Sequence, residues 1–279
     1  MFEFFFELCY IAFMKALINT FQRKTKKENT DLSTLHFHNG YELIFVTNGE
    51  VKIEIDSVPH KAKAPAVILL NPFEQHKITD ASKDYERTIL VLSAEVLEQN
   101  ISPRLIAMLK CRPQGFSHII NPNRGDFANI YTILDSISKE LEFNDVFKEQ
   151  YLLNCVYNML ILMYRTEKIA SDFSASMMKA QAYIDENYFQ IDSIESIAEK
   201  FCVSPSHFSR SFKAYSGYSP VVYLKNTRLY HAQQLLMYSE YTVYEISEKI
   251  GFKDTNNFIR QFKNKFKLSP LKFRTENKV

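Results

Sequence analysis

Three histidines and one glutamate in the N-terminal third of the chain have side chains that can ligate a metal ion or hydrogen-bond a small molecule. His36, His38 and Glu42 stand within one short segment, and His76 follows later. Three imidazoles and a carboxylate are ligands that transition metals such as zinc accept. The same groups can line a pocket for an organic ligand, or can be structural residues of a sheet. The sequence favours the organic-ligand pocket, formed by these four residues with Tyr41, and it predicts neither a bound metal ion nor another cofactor.

A second group of polar and basic residues, near the C-terminus, has side chains that can read DNA bases. Arginine can bridge the O6 and N7 atoms of guanine, asparagine can bind the N6 and N7 atoms of adenine, and serine or threonine can bind a base or a phosphate. A solvated basic helix face has the same composition, so residue type alone does not decide between the two roles. The candidates are Ser206, Ser209, Arg210, Lys213, Thr255, Asn256, Asn257, Arg260 and Lys263.

These candidates lie on a segment that occurs twice. The first copy is SIESIAEKFCVSPSHFSRSFKAYSGYSP (193–220), and the second is TVYEISEKIGFKDTNNFIRQFKNKFKLSP (242–270), with one extra residue in its turn. In the first copy the spacing predicts two helices, 194–201 and 205–214, with a phenylalanine pair at i and i+4 facing inward. Ser204 and Asp254 suit the N-cap of the second helix in each copy. This pattern predicts two helix-turn-helix units, each of which places its second helix in a major groove of DNA.

Positive charge is concentrated in the same part of the chain. Residues 177–279 contain 15 Lys and Arg against 10 Asp and Glu, whereas residues 1–176 contain 19 against 22. This asymmetry predicts a polyanionic partner for the C-terminal part. The length of 279 residues and the 46% hydrophobic content are typical of two globular domains and exclude a disordered or fibrous chain.

Short strands are expected in the N-terminal part and helices after it. The segments LIFV (43–46), VKIEI (51–55), AVILL (66–70) and TILVL (88–92) follow one another without a helical pattern between them, and Asn48-Gly49 predicts a hairpin. This favours a small antiparallel sandwich or barrel. From about residue 94 apolar residues recur at helical spacing, and the helix around 151–164 is expected to be buried on more than one face, in its own core or against a second subunit. Residues 168–175 are interpreted as a linker.

The cysteines and the N-terminus bear on the location of the protein. Cys9, Cys111, Cys155 and Cys202 form no CxxC pair, which favours buried thiols in a reducing cytoplasm over disulfides or a zinc ribbon. The first 21 residues are apolar but are interrupted by two glutamates and follow no basic segment, so they make a poor secretory signal and a poor membrane span. An ordered N-terminal extension, a true start at Met14 and a membrane anchor remain open.

The C-terminal hundred residues resemble the DNA-binding domain of AraC/XylS-family transcriptional regulators. The resemblance rests on the two copies and on the run GF-x-D…F-x-R-x-F-K…SP-x-x-[YF]-R. It implies two helix-turn-helix units joined by a long helix, here 221–237, with Ser206, Ser209 and Arg210 facing bases in the first unit, and Thr255, Asn256 and Arg260 in the second. The chain departs from the pattern at Lys267, where the family has glycine. Lysine must therefore tolerate a left-handed backbone there, or the turn must be remodelled.

The segment HFHNGYELIFVTNG (36–49) resembles the first motif of cupin barrels, HxH-x3-E-x6-G, and His76 lies near the place of a second motif. That second motif lacks its glycines, because Ala66 and Glu74 stand where glycine is expected. The regulator family also has cupin-like sensor domains with a similar histidine pattern that do not act as metal enzymes.

Together these features predict an α+β chain with three parts: an N-terminal extension (1–29), a cupin-like antiparallel β-barrel or sandwich followed by helices (30–170), and an all-α domain with two helix-turn-helix units (176–279). The predicted function is a cytoplasmic, sequence-specific transcriptional regulator, an activator rather than an enzyme. Its expected partners are promoter or operator double-stranded DNA, a small-molecule effector, a second copy of the chain and RNA polymerase, with no membrane. The alternatives are a metal-dependent cupin enzyme fused to a nucleic-acid-binding module, and a regulator without a small ligand.

Overall fold

A computed structural model of the chain describes residues 16–25, 36, 38, 40–113, 116–166 and 175–277. These residues form two compact units. The N-terminal unit contains the described residues up to Lys110 together with 117–166, and the C-terminal unit contains 111–113, residue 116 and 175–277. The predicted linker 168–175 and the candidate start at Met14 lie outside the described residues, apart from the backbone of residue 175.

The N-terminal unit contains eight strands among the described residues, and every pairing between them is antiparallel. The strands are β1 (Ile18–Thr25), β2 (Tyr41–Asn48), β3 (Glu50–Ile55), β4 (Val58–Lys63), β5 (Ala66–Leu70), β6 (His76–Ala81), β7 (Glu86–Leu92) and β8 (Ile119–Ile120). They form a five-stranded sheet in the order β1-β7-β2-β5-β8 and a three-stranded sheet in the order β4-β3-β6. The predicted antiparallel β architecture is therefore confirmed.

The hairpin predicted at Asn48-Gly49 is wrong. Strands β2 and β3 flank this turn but belong to different sheets, so the chain crosses from one sheet to the other there. Gly49 has φ +72, and this left-handed backbone serves the crossing as well as it would serve a hairpin. The tight hairpin instead joins β3 to β4 at Asp56 and Ser57, which both have positive φ. Strand β1 is an addition: it lies in the segment expected to be an extension, and it pairs with β7.

An apolar core is formed by strand residues of both sheets. On β2 the side chains of Ile44 and Val46 belong to this core, and they meet residues such as Ile53, Ile68 and Ile78. Because side chains alternate along a strand, Glu42 shares the face of Ile44 and Val46, whereas Tyr41 faces the other way. The inward face of β2 thus carries one carboxylate next to an apolar core.

Four helices complete the described part of the N-terminal unit: α1 (Ala94–Asn100), α2 (Pro103–Lys110), α3 (Arg124–Glu140) and α4 (Lys148–Thr166). On α4 the buried residues, Leu152, Val156, Met159, Leu160 and Met163, follow helical spacing on one stripe, and Tyr151 is exposed. This stripe is narrower than the burial on several faces that the sequence predicted.

The C-terminal unit is helical. Its helices are α5 (Ala175–Asn187), α6 (Ile194–Lys200), α7 (Pro205–Ser216), α8 (Pro220–Tyr238), α9 (Val243–Lys249), α10 (Thr255–Phe266) and α11 (Pro270–Asn277). The long helix α8 stands where the sequence predicted a linker helix between two repeated units. Within the described ranges of both units, no helix has the length and apolar character that crossing a membrane requires.

Candidate functional site

The first repeated copy folds as helix α6, a tight turn and helix α7. The Ser193 side chain caps α6 by accepting a hydrogen bond from the Ser196 amide at 3.2 Å. Cys202 makes the turn with φ 54, and its exposed position differs from the buried thiol that the sequence predicted. Ser204 then caps α7 by accepting from the His207 amide at 3.3 Å, with Pro205 at the first helical position. This geometry is the predicted helix-turn-helix arrangement.

The second copy, α9 to α10, repeats the arrangement with different caps. Thr242 and Glu245 form a reciprocal capping box at the start of α9. Gly251 makes the turn with φ +81. Asp254 caps α10 by accepting hydrogen bonds from the amides of Asn256 at 3.0 Å and Asn257 at 3.1 Å. These amides are therefore occupied and are not free donors for a DNA phosphate at this helix start.

A phenylalanine pair fixes the second helix of each unit. Phe208 and Phe212 on α7, and Phe258 and Phe262 on α10, are completely buried. The ring centroids within each pair lie 5.5 and 5.7 Å apart. Because these residues define the inward face, the opposite face of each helix is turned to solvent.

The polar and basic candidates lie on these solvent-facing sides. The exposed residues are Ser206, Arg210, Lys213, Asn256, Arg260 and Lys263, and the half-buried ones are Ser209, Thr255 and Asn257. The Arg260 guanidinium donates to the Asn257 side-chain oxygen at 3.0 Å, which links two candidates on one face. Among the described residues no acidic side chain forms an ion pair with Arg210 or Arg260. Neither arginine is therefore held in a salt bridge by that part of the chain.

Both second helices contribute to one cleft of about 780 Å³. Ser209 comes from α7, Asn257 and Arg260 come from α10, and Lys225 comes from α8. The structure thus brings three of the candidate residues to the same cleft within the C-terminal unit. A surface that gathers polar side chains from two equivalent helices is suited to one extended ligand.

Arg228 on α8 is a residue that sequence reasoning missed. Its Nε donates to the Tyr188 carbonyl at 2.9 Å, and its Nη2 donates to the Ile191 carbonyl at 2.7 Å. A Cβ atom on Gly251 would lie 3.0 Å from Nη2, so the arginine also packs against the turn of the second unit. Arg228 therefore links α8 to the segment that leads into the first helix-turn-helix unit, and it does so beside the turn of the second helix-turn-helix unit. Its acceptors are backbone carbonyls, and no side-chain pattern in the sequence marks them.

In the N-terminal unit the three histidines and Glu42 converge. One ring nitrogen from each of His36, His38 and His76 lies within 4.8 Å of the other two. The Glu42 carboxylate oxygen Oε2 lies 2.9 Å from His76 Nε2 and 3.2 Å from His38 Nε2. A pair of backbone hydrogen bonds between His36 and His76 brings the two ends of this cluster together. Tyr41 is not part of it, because its hydroxyl donates to Glu98 on α1 at 2.6 Å.

Burial and mutual charge set the electrostatics of this histidine cluster. Burial alone would raise the pKa of Glu42, but the facing His76 imidazole and the other two histidines outweigh it and hold that pKa below its usual value. Burial opposes the charged form of His76, yet the Glu42 carboxylate raises the pKa of His76 overall. Burial lowers the pKa of His38 despite Glu42. The cluster therefore favours an ionised carboxylate at Glu42 and a neutral imidazole at His38.

Glu74, where a cupin motif would have glycine, has a structural role. It is buried, its Oε2 accepts from the Asn71 amide at 2.8 Å, and its Oε1 lies 2.9 Å from His118 Nε2. Its backbone carbonyl lies 3.4 Å from His76 Nδ1. A carbonyl only accepts hydrogen bonds, so this contact favours a proton on Nδ1 of His76, whose Nε2 faces Glu42.

Two family models match the chain. One, described as an AraC-like ligand binding domain, matches residues 23–153, and the other, a helix-turn-helix domain, matches residues 197–276. The chain is 29% identical over 163 residues to the lactose operon transcription activator of Staphylococcus xylosus, an alignment that covers 57% of this chain and 58% of that protein. It is 31% identical over 118 residues to the transcriptional activator RhaS of Salmonella arizonae, which covers 42% of each chain. These alignments thus span less than two thirds of either relative.

The fold is also similar to a solved structure over nearly its whole length. ToxT from Vibrio cholerae superposes with a TM-score of 0.57, covering 95% of this chain and 100% of that chain, at 15% sequence identity. At this identity the likeness concerns the fold alone. It agrees with a strand-rich N-terminal unit followed by a helical one.

Proposed function

Because the chain belongs to the AraC family of transcriptional regulators, with an AraC-like ligand-binding domain ahead of a helix-turn-helix domain, we propose that it activates transcription by reading two different half-sites on double-stranded DNA. The observation that carries this proposal is the pairing of two helix-turn-helix units whose second helices expose unlike side chains and contribute to one cleft. Two such helices on one chain suit successive major grooves of one duplex.

The proposed base-reading residues are those on the exposed sides of α7 and α10. Arg210 and Arg260 suit guanine, Asn256 suits adenine, and Ser206, Ser209 and Thr255 suit a base or a phosphate. Lys213 and Lys263 lie one turn further along and suit phosphates, which carry no sequence information. Asn257 acts through its hydrogen bond to Arg260, which orients the guanidinium.

We also propose an N-terminal domain at 30–170 that senses an effector and forms a homodimer, and a DNA-binding domain at 176–279. The family match over residues 23–153 supports effector binding, and the exposed apolar residues Phe143, Val146 and Phe147 next to α4 support an interface with a second copy. A contact with RNA polymerase follows from the proposed role as an activator. Among the described residues, Cys111, Cys155 and Cys202 form no disulfide, which is consistent with action in the cytoplasm.

The experiment that tests this proposal is selection of binding sites from a random DNA library with the full-length protein. The expected result is one motif with two unlike half-sites. Their centres should lie a whole number of helical turns of DNA apart, so that both major grooves are accessible from the same side of the duplex. A double variant, Arg210→Ala with Arg260→Ala, should fail to select that motif while its circular dichroism spectrum stays unchanged. Recovery of no motif by the unmodified protein, or of the same motif by the double variant, would refute the assignment of these helices.

A further inference from the structure

We propose that His36, His38, Glu42 and His76 bind one divalent transition metal ion, with Zn²⁺ the first candidate. This inference rests on the proposed ligand-binding role of the N-terminal domain and names a ligand class for it. It assigns the cluster a role that the sequence alone left open between a metal, an organic ligand and structure.

The distances between the donor atoms fit a single small cation. Donors held about 2.0–2.1 Å from one zinc ion lie about 3.4 Å from each other in tetrahedral geometry. The Glu42 Oε2 atom is 2.9 Å from His76 Nε2 and 3.2 Å from His38 Nε2, close to that separation. The three histidine nitrogens lie within 4.8 Å of one another. Rotation of the His36 and His38 side chains would therefore place all four donors around one ion.

Two of the donors are buried and lack the hydrogen bond that would satisfy them. The Glu42 and His76 side chains are only 3% and 2% exposed. Within the described residues, neither Glu42 Oε2 nor His76 Nε2 has a partner with hydrogen-bond geometry, although the two atoms are 2.9 Å apart. A buried donor or acceptor that is left unsatisfied destabilises the folded protein. A cation between them would satisfy both at once.

Paired strands hold two of the donors, and a backbone bridge to one of these strands holds His36. Glu42 lies on β2, which pairs with β5 on one side and β7 on the other. His76 begins β6, pairs with Ile55 of β3 and is joined to His36 through two backbone hydrogen bonds of 2.9 and 3.0 Å. Metal sites on paired strands are more precise than sites on free loops.

The surroundings of His76 complete the features of a ligand. Its Nδ1 faces the Glu74 carbonyl at 3.4 Å, and metal-bound imidazoles commonly donate their second N–H to a carbonyl or carboxylate in this way. His38 is 30% exposed and gives an ion a path from solvent. Three imidazoles with one carboxylate suit Zn²⁺, Fe²⁺ or Ni²⁺ and do not suit Ca²⁺ or Mg²⁺, which prefer oxygen ligands.

The test is a metal titration of the full-length protein without DNA. The purified chain is stripped with a chelator, and Zn²⁺ binding is followed by calorimetry and by elemental analysis after dialysis, with Mg²⁺ as a comparison. We expect one Zn²⁺ per chain and no stoichiometric Mg²⁺. Glu42→Gln and His38→Gln should each weaken Zn²⁺ binding at least about tenfold, and His60→Gln, a histidine of the same unit outside the cluster, should leave it unchanged.

The outcomes separate the possibilities cleanly. Less than one Zn²⁺ per unmodified chain would overturn the proposal, as would a His38→Gln, Glu42→Gln double variant that still binds with full affinity. The unmodified chain alone decides the first point, so misfolding of a variant does not leave the question open. Site selection on random DNA is measured separately, and its failure together with stoichiometric Zn²⁺ would refute the DNA-binding proposal and keep this one.

Discussion

Gly217 and Lys267 occupy the same position at the ends of α7 and α10, and both have a left-handed backbone, with φ 82 and 63. Their amides donate to the Lys213 and Lys263 carbonyls at 2.8 Å. A Cβ on Gly217 would lie 2.1 Å from the Arg112 carbonyl oxygen, whereas Lys267 is exposed. The missing family glycine is thus tolerated at Lys267 because its side chain is exposed, with Nζ donating to the Asn264 carbonyl at 3.0 Å, and the turn is not remodelled.

Substitutions at this position should therefore have opposite effects on stability in the two helix-turn-helix units. Lys267→Gly should raise the free energy of unfolding by about 0.5–1 kcal/mol. A left-handed conformation costs lysine about 1–2 kcal/mol, which glycine avoids, but the more flexible unfolded chain of the glycine variant offsets part of this gain. Gly217→Ala should lower it by at least about 2 kcal/mol, since collision adds to the same backbone cost. Urea unfolding of the full-length protein measures both. Destabilisation by Lys267→Gly would contradict this account.

Arg260 and Lys263 lie one turn apart on α10 and should fail in different ways. Arg260→Ala should weaken binding to the selected site by about 1–3 kcal/mol and relax base preference at one position, because a bidentate contact with guanine is lost. Lys263→Ala should weaken binding to every sequence alike. It should also reduce the slope of the logarithm of the binding constant against the logarithm of the salt concentration by about 1, as loss of a phosphate contact does. Binding measured at several salt concentrations, on selected and random duplexes, separates the two. An equal loss on both duplexes for Arg260→Ala would make it a phosphate contact.

Local patterns predicted the elements of the fold better than their pairing. Short apolar runs located strands such as β5 and β7, alternation located β3, and helical spacing located α3, α4 and the repeated helices. The turn at Gly49 was assigned to a hairpin, because a left-handed glycine looks the same in sequence whether the chain returns to its neighbour or crosses to another sheet. Strand β1, an edge strand with polar residues such as Gln22 and Arg23, has no apolar alternation to mark it and owes its place to pairing with β7.

The same distinction applies to the sites. The two helix-turn-helix units were predictable because the caps, the turns and the inward phenylalanines are all local features repeated in one segment. The convergence of His36 with His76 was suggested by the resemblance to cupin motifs, but it depends on a backbone bridge between residues forty positions apart. Arg228 was missed because both of its acceptors are backbone carbonyls distant in sequence.

Arg228 should control the spacing of the two half-sites. Its guanidinium joins α8 to the carbonyls of Tyr188 and Ile191 beside the turn at Gly251, and charged hydrogen bonds of this kind each contribute about 1.5–3 kcal/mol. Arg228→Met should lower the free energy of unfolding by about 3 kcal/mol or more, because both bonds are lost. It should also reduce the preference for the native spacing over a site with one inserted base pair. Lys225→Met on the same helix is the charge-matched control. A variant that keeps the full spacing preference would show that Arg228 only stabilises the fold.

Ser206 on α7 and Asn256 on α10 hold equivalent exposed positions and should each specify a base in a different half-site. Ser206→Asn gives the first unit the amide that suits adenine, so the motif selected from random DNA should change at one base pair of one half-site and stay unchanged in the other. The reciprocal Asn256→Ser should alter the other half-site only, with a loss of about 1–3 kcal/mol on the original sequence. Changes in both halves from either substitution would mean that one helix contacts both, or that a dimer presents the same unit twice. Confinement of each change to its own half would show that one chain reads a non-palindromic site.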